Sequence, residues 1–263
     1  MDLKLTKKIA LVTGSTAGIG NAIAASLARE GATVIVSGRT PAAVEAAVAS
    51  MKSETGGDVV GFAGDLAAAS VAESLIRQHP AVDILVNNLG IFEVRQFEEI
   101  SDADWRRFFD VNVLSGARLA RLYLPSMRQR NWGRIIFISS ESGYHIPAEM
   151  VHYGMTKAAQ VAVARGLAET TAGTGITVNS VLPGPTRSRG VADFVAEMAA
   201  QSGKSAQTVE KEFFKTARPT SLLQRFATPE EVAAIVTYVA SPLASATNGA
   251  ALRVDGGTIK SAF

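Results

Sequence analysis

Short apolar runs of strand length alternate along this chain with longer stretches in which apolar residues recur every three or four positions. Residues 8–12, Lys-Ile-Ala-Leu-Val, form the first run and predict a buried strand; after a glycine-rich turn, Ile23, Ala24, Leu27 and Ala28 repeat at helical spacing. The same alternation predicts strands at Thr33–Ser37, Val59–Ala63, Ile84–Asn87, Arg134–Ser139, Thr177–Leu182 and Ala251–Val254. Continuous apolar strands separated by amphipathic helices predict an α/β fold, a doubly wound parallel sheet with helices on both faces. Thr40-Pro41 and Thr228-Pro229-Glu230-Glu231 each set a capping hydroxyl before a proline at the first helical position, and Ser101 caps the helix carrying Trp105, Phe108, Phe109 and Asn112. Beyond residue 187 the pattern changes. Val191, Phe194, Val195, Met198 and Ala199 form one apolar helical stripe ended by Ser202-Gly203, and Val209, Phe213 and Phe214 mark a second helix. Phe194, Met198 and Phe213 there serve either a pocket wall or packing against the body.

The turn after the first strand reads Thr13-Gly14-Ser15-Thr16-Ala17-Gly18-Ile19-Gly20. Glycines between a strand and a helix let an anion approach the backbone, and the free N–H groups at the positive helix end attract it, which suits a pyrophosphate. The spacing is Gly-x-x-x-Gly-x-Gly, not the dinucleotide fingerprint Gly-x-Gly-x-x-Gly. Far downstream, Tyr153 and Lys157 are four residues apart, so a helix sets the ammonium beside the phenol. A positive neighbour favours phenolate and lowers the tyrosine pKa from about 10 toward neutrality. The pair reads as a proton donor and its tuner, or, taken alone, as a solvated helix face. At the end of the second strand, Ser37-Gly38-Arg39-Thr40 lacks the carboxylate that would hold the ribose hydroxyls of NAD. Arg39 suits the 2′-phosphate of NADP, with Ser37 and Thr40 adding hydroxyls, so the expected cofactor is NADP in preference to NAD; the alternative is a solvated arginine stacked on adenine.

Thr-Gly-x-x-x-Gly-Ile-Gly followed by Tyr-x-x-x-Lys resembles the short-chain dehydrogenase/reductase family in its compact subtype. Further signatures match in order: Asn87-Asn88-Leu89-Gly90, with Leu89 where the family has alanine; Asn112; Ser140 at the family's serine-to-tyrosine offset; Pro183-Gly184; and Val254-Asp255-Gly256-Gly257. The resemblance spans residues 6–257. It implies that a nicotinamide exchanges hydride with a carbonyl carbon, that Tyr153 supplies the proton, that Ser140 orients and polarises the oxygen, that Lys157 tunes Tyr153 and reaches the cofactor ribose, and that Asn112 holds a water relaying protons to Lys157. It places the cofactor on Gly14, Ser15, Thr16, Gly18, Ile19, Gly20, Ser37, Arg39, Asp65, Leu66, Asn88, Gly90, Val111, Tyr153, Lys157, Pro183, Gly184, Thr186 and Ser188. It also implies a mobile substrate lid at about 187–227 and a homotetramer paired through the helices of Asn112 and Tyr153 and through the last strand and tail. Val161, Ala162, Ala164, Leu167 and Ala168 carry small and apolar residues onto more than one face of the second helix, in keeping with such pairing. The nearest branch is that of 3-oxoacyl carrier-protein reductases, with a 3-oxoacyl thioester as one expected substrate; a sugar, sugar-acid or cyclic-alcohol dehydrogenase is the alternative, and an NADP-binding sensor without catalysis the alternative of another class.

Composition narrows the remaining classes. The 263 residues are 47% hydrophobic and 19% charged, enough for a large core, and one site drawing on residues 14, 153 and 255 predicts a single domain over 1–263. Cysteine is absent, which excludes disulfides and thiolate chemistry and fits a cytoplasmic setting. The start runs into the first strand without a signal-like segment, and no apolar run reaches membrane-spanning length. With a net charge of +2 and no basic stripe interleaved with aromatics, nucleic acid is not an expected partner. His79 reads as a helix-end residue, while His145 and His152 flank the expected mouth without a third ligand, so no metal site is expected. Glu141, His145 and Glu149 read as solvated loop residues or substrate contacts. Arg187, Arg189, Lys204, Lys211, Lys215 and Arg218 make the lid segment basic, which fits an anionic substrate or carrier and equally a solvated face.

Overall fold

Seven strands form one parallel sheet in the computed structural model, β1 (Ile9–Val12), β2 (Thr33–Gly38), β3 (Val59–Ala63), β4 (Ile84–Asn87), β5 (Gly133–Ile138), β6 (Ile176–Pro183) and β7 (Ala251–Val254), in the order β3-β2-β1-β4-β5-β6-β7. The structure describes residues 1–262, with backbone alone at 189, 193, 194 and 197, so the expectations for the side chains of Arg189 and Phe194 and for the terminal Phe263 lie outside the described residues. All seven predicted strands are present, shifted by no more than a residue or so at their ends.

Successive strand residues face opposite layers, and both layers are apolar. Ala10, Val12, Val34, Val36, Ile84 and Val86 pack with α1 (Gly18–Arg29), α2 (Pro41–Thr55) and α9 (Pro229–Val239). Leu11, Ile35, Leu85, Ile135 and Phe137 pack on the other side with α3 (Ala69–Gln78), α5 (Ser115–Gln129) and α6 (Val151–Glu169). Burial on both faces is why the strands read as continuous apolar runs. The predicted caps form as side-chain bonds: Thr40 Oγ1 accepts from the amide of Ala43, and Thr228 and Glu231 make a reciprocal capping box.

One helix differs from its expected form. Ser101 caps α4 (Asp102–Phe109) through a capping box with Asp104, but Asn112 does not sit in regular α-helix; α4 passes into α5 through a π turn, Asp110–Leu114, where the amide of Ser115 reaches back five residues to Asp110. Single π turns widen a helix and free carbonyls, often at functional sites. The segment after β6 folds as α7 (Arg189–Ser202) and α8 (Ala206–Thr216), with a small core of Val195, Val209, Phe214 and Phe226. Phe213 packs in that core, its ring 5.1 Å from that of Phe226, while Met198 is 41% exposed. Among the described residues no helix is long and apolar enough to cross a membrane.

Candidate active site

The chain leaves β3 on one edge of the sheet and crosses to β4 beside β1, so the C-terminal ends of β1 and β4 open a crevice at the reversal of strand order. Backbone and side chains lock the two ends together. Thr13 Oγ1 accepts from the amides of Asn88 and Leu89, each at 2.9 Å, and Asn88 Nδ2 donates to the carbonyls of Thr13 at 2.9 Å and Gly14 at 3.1 Å. A side chain at Gly20 would meet Asn88 Nδ2 at 2.4 Å and the Gly14 carbonyl at 2.5 Å, so glycine there permits the clamp. Gly14 and Gly18 take left-handed φ of 62° and 59°, which bends the chain straight from strand into α1. Ala17, the residue before α1, supplies no capping oxygen, leaving the first-turn N–H groups directed to the crevice. Gly18, Ile19, Asn88, Gly90, Tyr153 and Lys157 all line that crevice, together with Ser188 at the start of α7.

The proton-transfer residues converge on the same opening from β5 and α6. Ser140 follows β5, is 8% exposed, and its Oγ accepts from the Ser142 amide at 3.1 Å while contributing to the electrostatics of Tyr153. Lys157 points inward, its Nζ donating to the Ile138 carbonyl at 3.0 Å and to Gln160 Oε1 at 3.1 Å. Gly90 lies beside Lys157 and Asn112, a Cβ there falling in contact range, 3.4 Å, of Lys157 Nζ and Asn112 Oδ1. Asn112 is fully buried: Oδ1 accepts from the Ile91 amide at 2.8 Å, and Nδ2 donates to the Ile91 carbonyl and to Thr156 Oγ1, each at 2.9 Å.

Burial dominates the electrostatics of the pair. It pushes the Tyr153 phenol up to about 12, against the downward pull of Ser140; Glu141 adds to the rise and Arg218 opposes it. The Lys157 Nζ lies 5.6 Å from the tyrosine ring centroid, turned to Ile138 and Gln160, and burial brings its own pKa down to about 7. The four-residue spacing puts the two side chains on one face; which way the ammonium leans is set by carbonyls the spacing cannot show.

A protein-family model for short chain dehydrogenases matches residues 8–199, covering the phosphate turn, the β1–β4 clamp and the Ser140, Tyr153 and Lys157 convergence. The chain belongs to the short-chain dehydrogenase family. This dehydrogenase is 47% identical over 264 residues to the uncharacterized oxidoreductase YvaG of Bacillus subtilis, with 100% of both chains covered. It is 33% identical to a 3-oxoacyl acyl-carrier-protein reductase of Aquifex aeolicus, over 98% of this chain and 99% of that one. Among solved structures it resembles L-sorbose reductase from Gluconobacter frateurii, complexed with NADPH and L-sorbose, with a TM-score of 0.93 and 31% identity over 99% of this chain and 100% of that one.

Several predicted site residues of this dehydrogenase occupy places that the sequence pattern does not convey. Ser15 and Ser37 are buried and face each other: Ser15 Oγ accepts from the Ser37 amide at 2.9 Å, and Ser37 Oγ accepts from the Gly14 amide at 3.2 Å. Their hydroxyls brace the turn, so Ser37 faces inward rather than toward a phosphate, while Thr40 is exposed and its Oγ1 accepts from α2 as its cap. Arg39 and Asp65 are exposed beyond β2 and β3, Leu66 is buried, and Val111 lies in the π turn. Thr16 packs against Gly38, where a Cβ would meet its methyl at 2.5 Å. Gly184, after Pro183, lies so close to Asp255 that a Cβ would fall 2.6 Å from its carbonyl, and Thr186 Oγ1 donates back to Gly184 at 2.9 Å. His145 is exposed while His152 is wholly buried, its ring 4.0 Å from that of Phe108, so the two do not share a face.

Glu141 is neither solvated nor open to a ligand. Its side chain is 3% exposed and accepts from Arg218 Nε at 2.8 Å and from Ser142 Oγ. That pair joins the end of the lid segment to the residue beside Ser140. Arg187 likewise pairs with Glu210 at 2.6 Å and Lys204 with Glu212 at 2.7 Å, so half of the basic residues counted toward an anionic ligand are already matched by carboxylates. Gln160, which no motif singled out, touches both Lys157 and the Asn112 carbonyl. A polar residue on an otherwise small and apolar helical stretch is the only signal that could have found it.

Proposed function

We propose that this protein is an NADP-dependent oxidoreductase that passes a hydride between nicotinamide and the carbonyl or secondary-alcohol carbon of a small hydroxylated substrate. The observation that carries the reading is the convergence of Tyr153 and Lys157, with Ser140 next to the lining residue Ser139, on a crevice whose other wall is the uncapped start of α1. Gly14 to Gly20 hold the pyrophosphate, Arg39 the 2′-phosphate and Asp65-Leu66 the adenine; the cofactor supplies the hydride. Asn88, Gly90, Val111, Pro183, Gly184, Thr186 and Ser188 shape the rest of its cleft. Ser140 donates to the substrate oxygen, Tyr153 gives it a proton during reduction, and Lys157 favours the phenolate left behind and holds the ribose. Asn112 holds a water that relays protons to Lys157. In oxidation each transfer reverses.

A sugar-like ketone is preferred to a 3-oxoacyl thioester on the fold likeness to L-sorbose reductase, TM-score 0.93, and because Arg187, Lys204 and Arg218, half of the lid's basic residues that would suit an anionic carrier, are paired with carboxylates. The segment 187–227 acts as the lid of a single catalytic domain. The assembly is a homotetramer, since the groove between α5 and α6 presents Ala117, Pro125, Val163, Gly166 and Leu167, small or apolar groups suited to a second copy, flanked by Arg121 and Arg128. A cytoplasmic setting fits the absence of cysteine. NADPH absorbance followed across keto-sugars, keto-acids, cyclic ketones and a 3-oxoacyl thioester tests the function: turnover of a keto-sugar is the expected result. Thioester turnover alone would move the protein to the other branch, and tight NADPH binding with no turnover on any member would make it a sensor. Light scattering at micromolar concentration tests the assembly, and a mass near the 27.5 kDa of one chain refutes it.

A further inference from the structure

Gln160 lies one turn after Lys157 on α6 and is 1% exposed. Its Oε1 accepts from Lys157 Nζ at 3.1 Å and its Nε2 donates to the main-chain carbonyl of Asn112 at 2.6 Å. An ammonium only donates and a carbonyl only accepts, so this orientation of the amide is the one that satisfies both neighbours. The carbonyl it reaches belongs to the π turn, where hydrogen bonds slip from four residues to five. Asn112 cannot drift, because its side chain is held to Ile91 and Thr156. Burying a carboxamide is unfavourable unless both ends are bonded, and an aliphatic side chain would pack a helix equally well, so a polar residue here answers a need of its neighbours. Donation from Nε2 polarises the amide and makes Oε1 a stronger acceptor for the ammonium.

Resting on the oxidoreductase reading above, we infer that Gln160 is a positioning residue of the proton-transfer pair: its amide is the link through which the Asn112 carbonyl holds Lys157 charged and in place. A neutral acceptor suits this role better than a carboxylate, since it steadies the ammonium without cancelling the charge that favours the Tyr153 phenolate. Tyr153 is the ionisable neighbour on α6 itself. On the elements packed against α6, Glu141 is paired with Arg218, Glu149 and Asp110 stand on the short turns flanking the site, and the acids of α4 pair with nearby arginines. Burial is what lowers the Lys157 pKa, and Gln160 Oε1 and the Ile138 carbonyl are the hydrogen-bond acceptors of its ammonium.

The test replaces Gln160 by Leu and, independently, by Met, both apolar and of similar size. The ionisation midpoint of Lys157 is followed by NMR of lysine labelled at Cε, assigned with Lys157→Met, in the free and the NADPH-bound protein. Loss of the amide is expected to lower the midpoint by about one pH unit, about a tenfold loss of charged lysine above it. The alkaline limb of the pH profile for ketone reduction is expected to move down by the same amount, with the circular dichroism spectrum unchanged. A midpoint unmoved in whichever variant folds overturns the inference, as does a midpoint that moves while the rate profile stays. If the parent protein reduces nothing on the panel, the oxidoreductase reading fails, while the midpoint still decides whether Gln160 holds Lys157.

Discussion

Replacing Arg218 by Met leaves Glu141 as a buried carboxylate without a cation, and the structure sets the size of the effect. The carboxylate is 3% exposed and its only charged partner among the described residues is the guanidinium at 2.8 Å; Ser142 and Ser140 supply the remaining hydrogen bonds. One charge-assisted bond is worth about 1.5–3 kcal/mol, and stranding the acid in a buried site brings the cost to about 3–5 kcal/mol. For a chain of this size that corresponds to a fall in melting temperature of roughly 6–20 °C. The double change Glu141→Leu with Arg218→Met removes both charges and is expected to restore most of the loss. Thermal unfolding of the two single variants and the double completes the cycle. Because Arg218 lowers and Glu141 raises the Tyr153 pKa, Arg218→Met is also expected to move the alkaline rise of alcohol oxidation to higher pH, and Glu141→Gln to lower pH. A single variant that melts within 2 °C of the parent, or a double variant less stable than either single, refutes the assignment of the pair as one electrostatic unit.

Three further outcomes follow from the site and its surroundings. Tyr153→Phe is expected to reduce turnover by about 10²–10⁴-fold while NADPH fluorescence titrations stay nearly unchanged, and substantial activity at neutral pH would remove Tyr153 as the acid. Arg39→Asp is expected to reverse the preference between NADPH and NADH by roughly tenfold or more, because a carboxylate repels the 2′-phosphate and accepts ribose hydroxyls; equal affinity for both cofactors in the parent protein would end that argument. His152 is wholly buried against Phe108, neither ring nitrogen meets a polar partner among the described residues, and burial holds its pKa below the usual 6.5. The folded protein therefore binds fewer protons than the unfolded chain, so the stability tied to this group is full above about pH 6.5 and falls below it by up to about 1.4 kcal/mol per pH unit. Urea unfolding of the parent and of His152→Phe at pH 7.5 and 5.5 measures this, and equal pH dependence of the two would clear His152 of the role.

Most of the sheet was legible because both of its faces are buried, so each strand announces itself as an apolar run between polar turns. Thr40, Ser101 and Thr228 gave their helix starts away through local chemistry that needs no tertiary partner. The turn at Gly14 to Gly20 and the pair Tyr153 and Lys157 were legible for the same reason, each being a short-range pattern. The π turn at Asp110–Leu114 was not, since a one-residue slip in hydrogen bonding leaves no mark on an apolar periodicity. Nor was the fate of Glu141, whose partner Arg218 is 77 positions away and looks in sequence like any other lid cation. Ser37 was placed at the right strand end and given the wrong direction, because a strand's alternation does not say which face meets a neighbouring turn. The direction in which the Lys157 ammonium leans was hidden for a related reason: spacing fixes a shared face, while the acceptors behind Lys157 fix where its charge sits.

The clamp between Thr13 and Asn88 spans 75 positions of chain, and the intervening residues build β2, β3 and three helices before it can close. A ribosome that has released only the first three strands has already made every glycine of the phosphate turn, yet nothing holds that turn against the sheet. The capacity to grip a dinucleotide thus arrives late and all at once, when β4 inserts beside β1. A cofactor present during synthesis has nothing to grasp until that moment, and once it binds it fastens the one seam on which the two halves of the sheet depend.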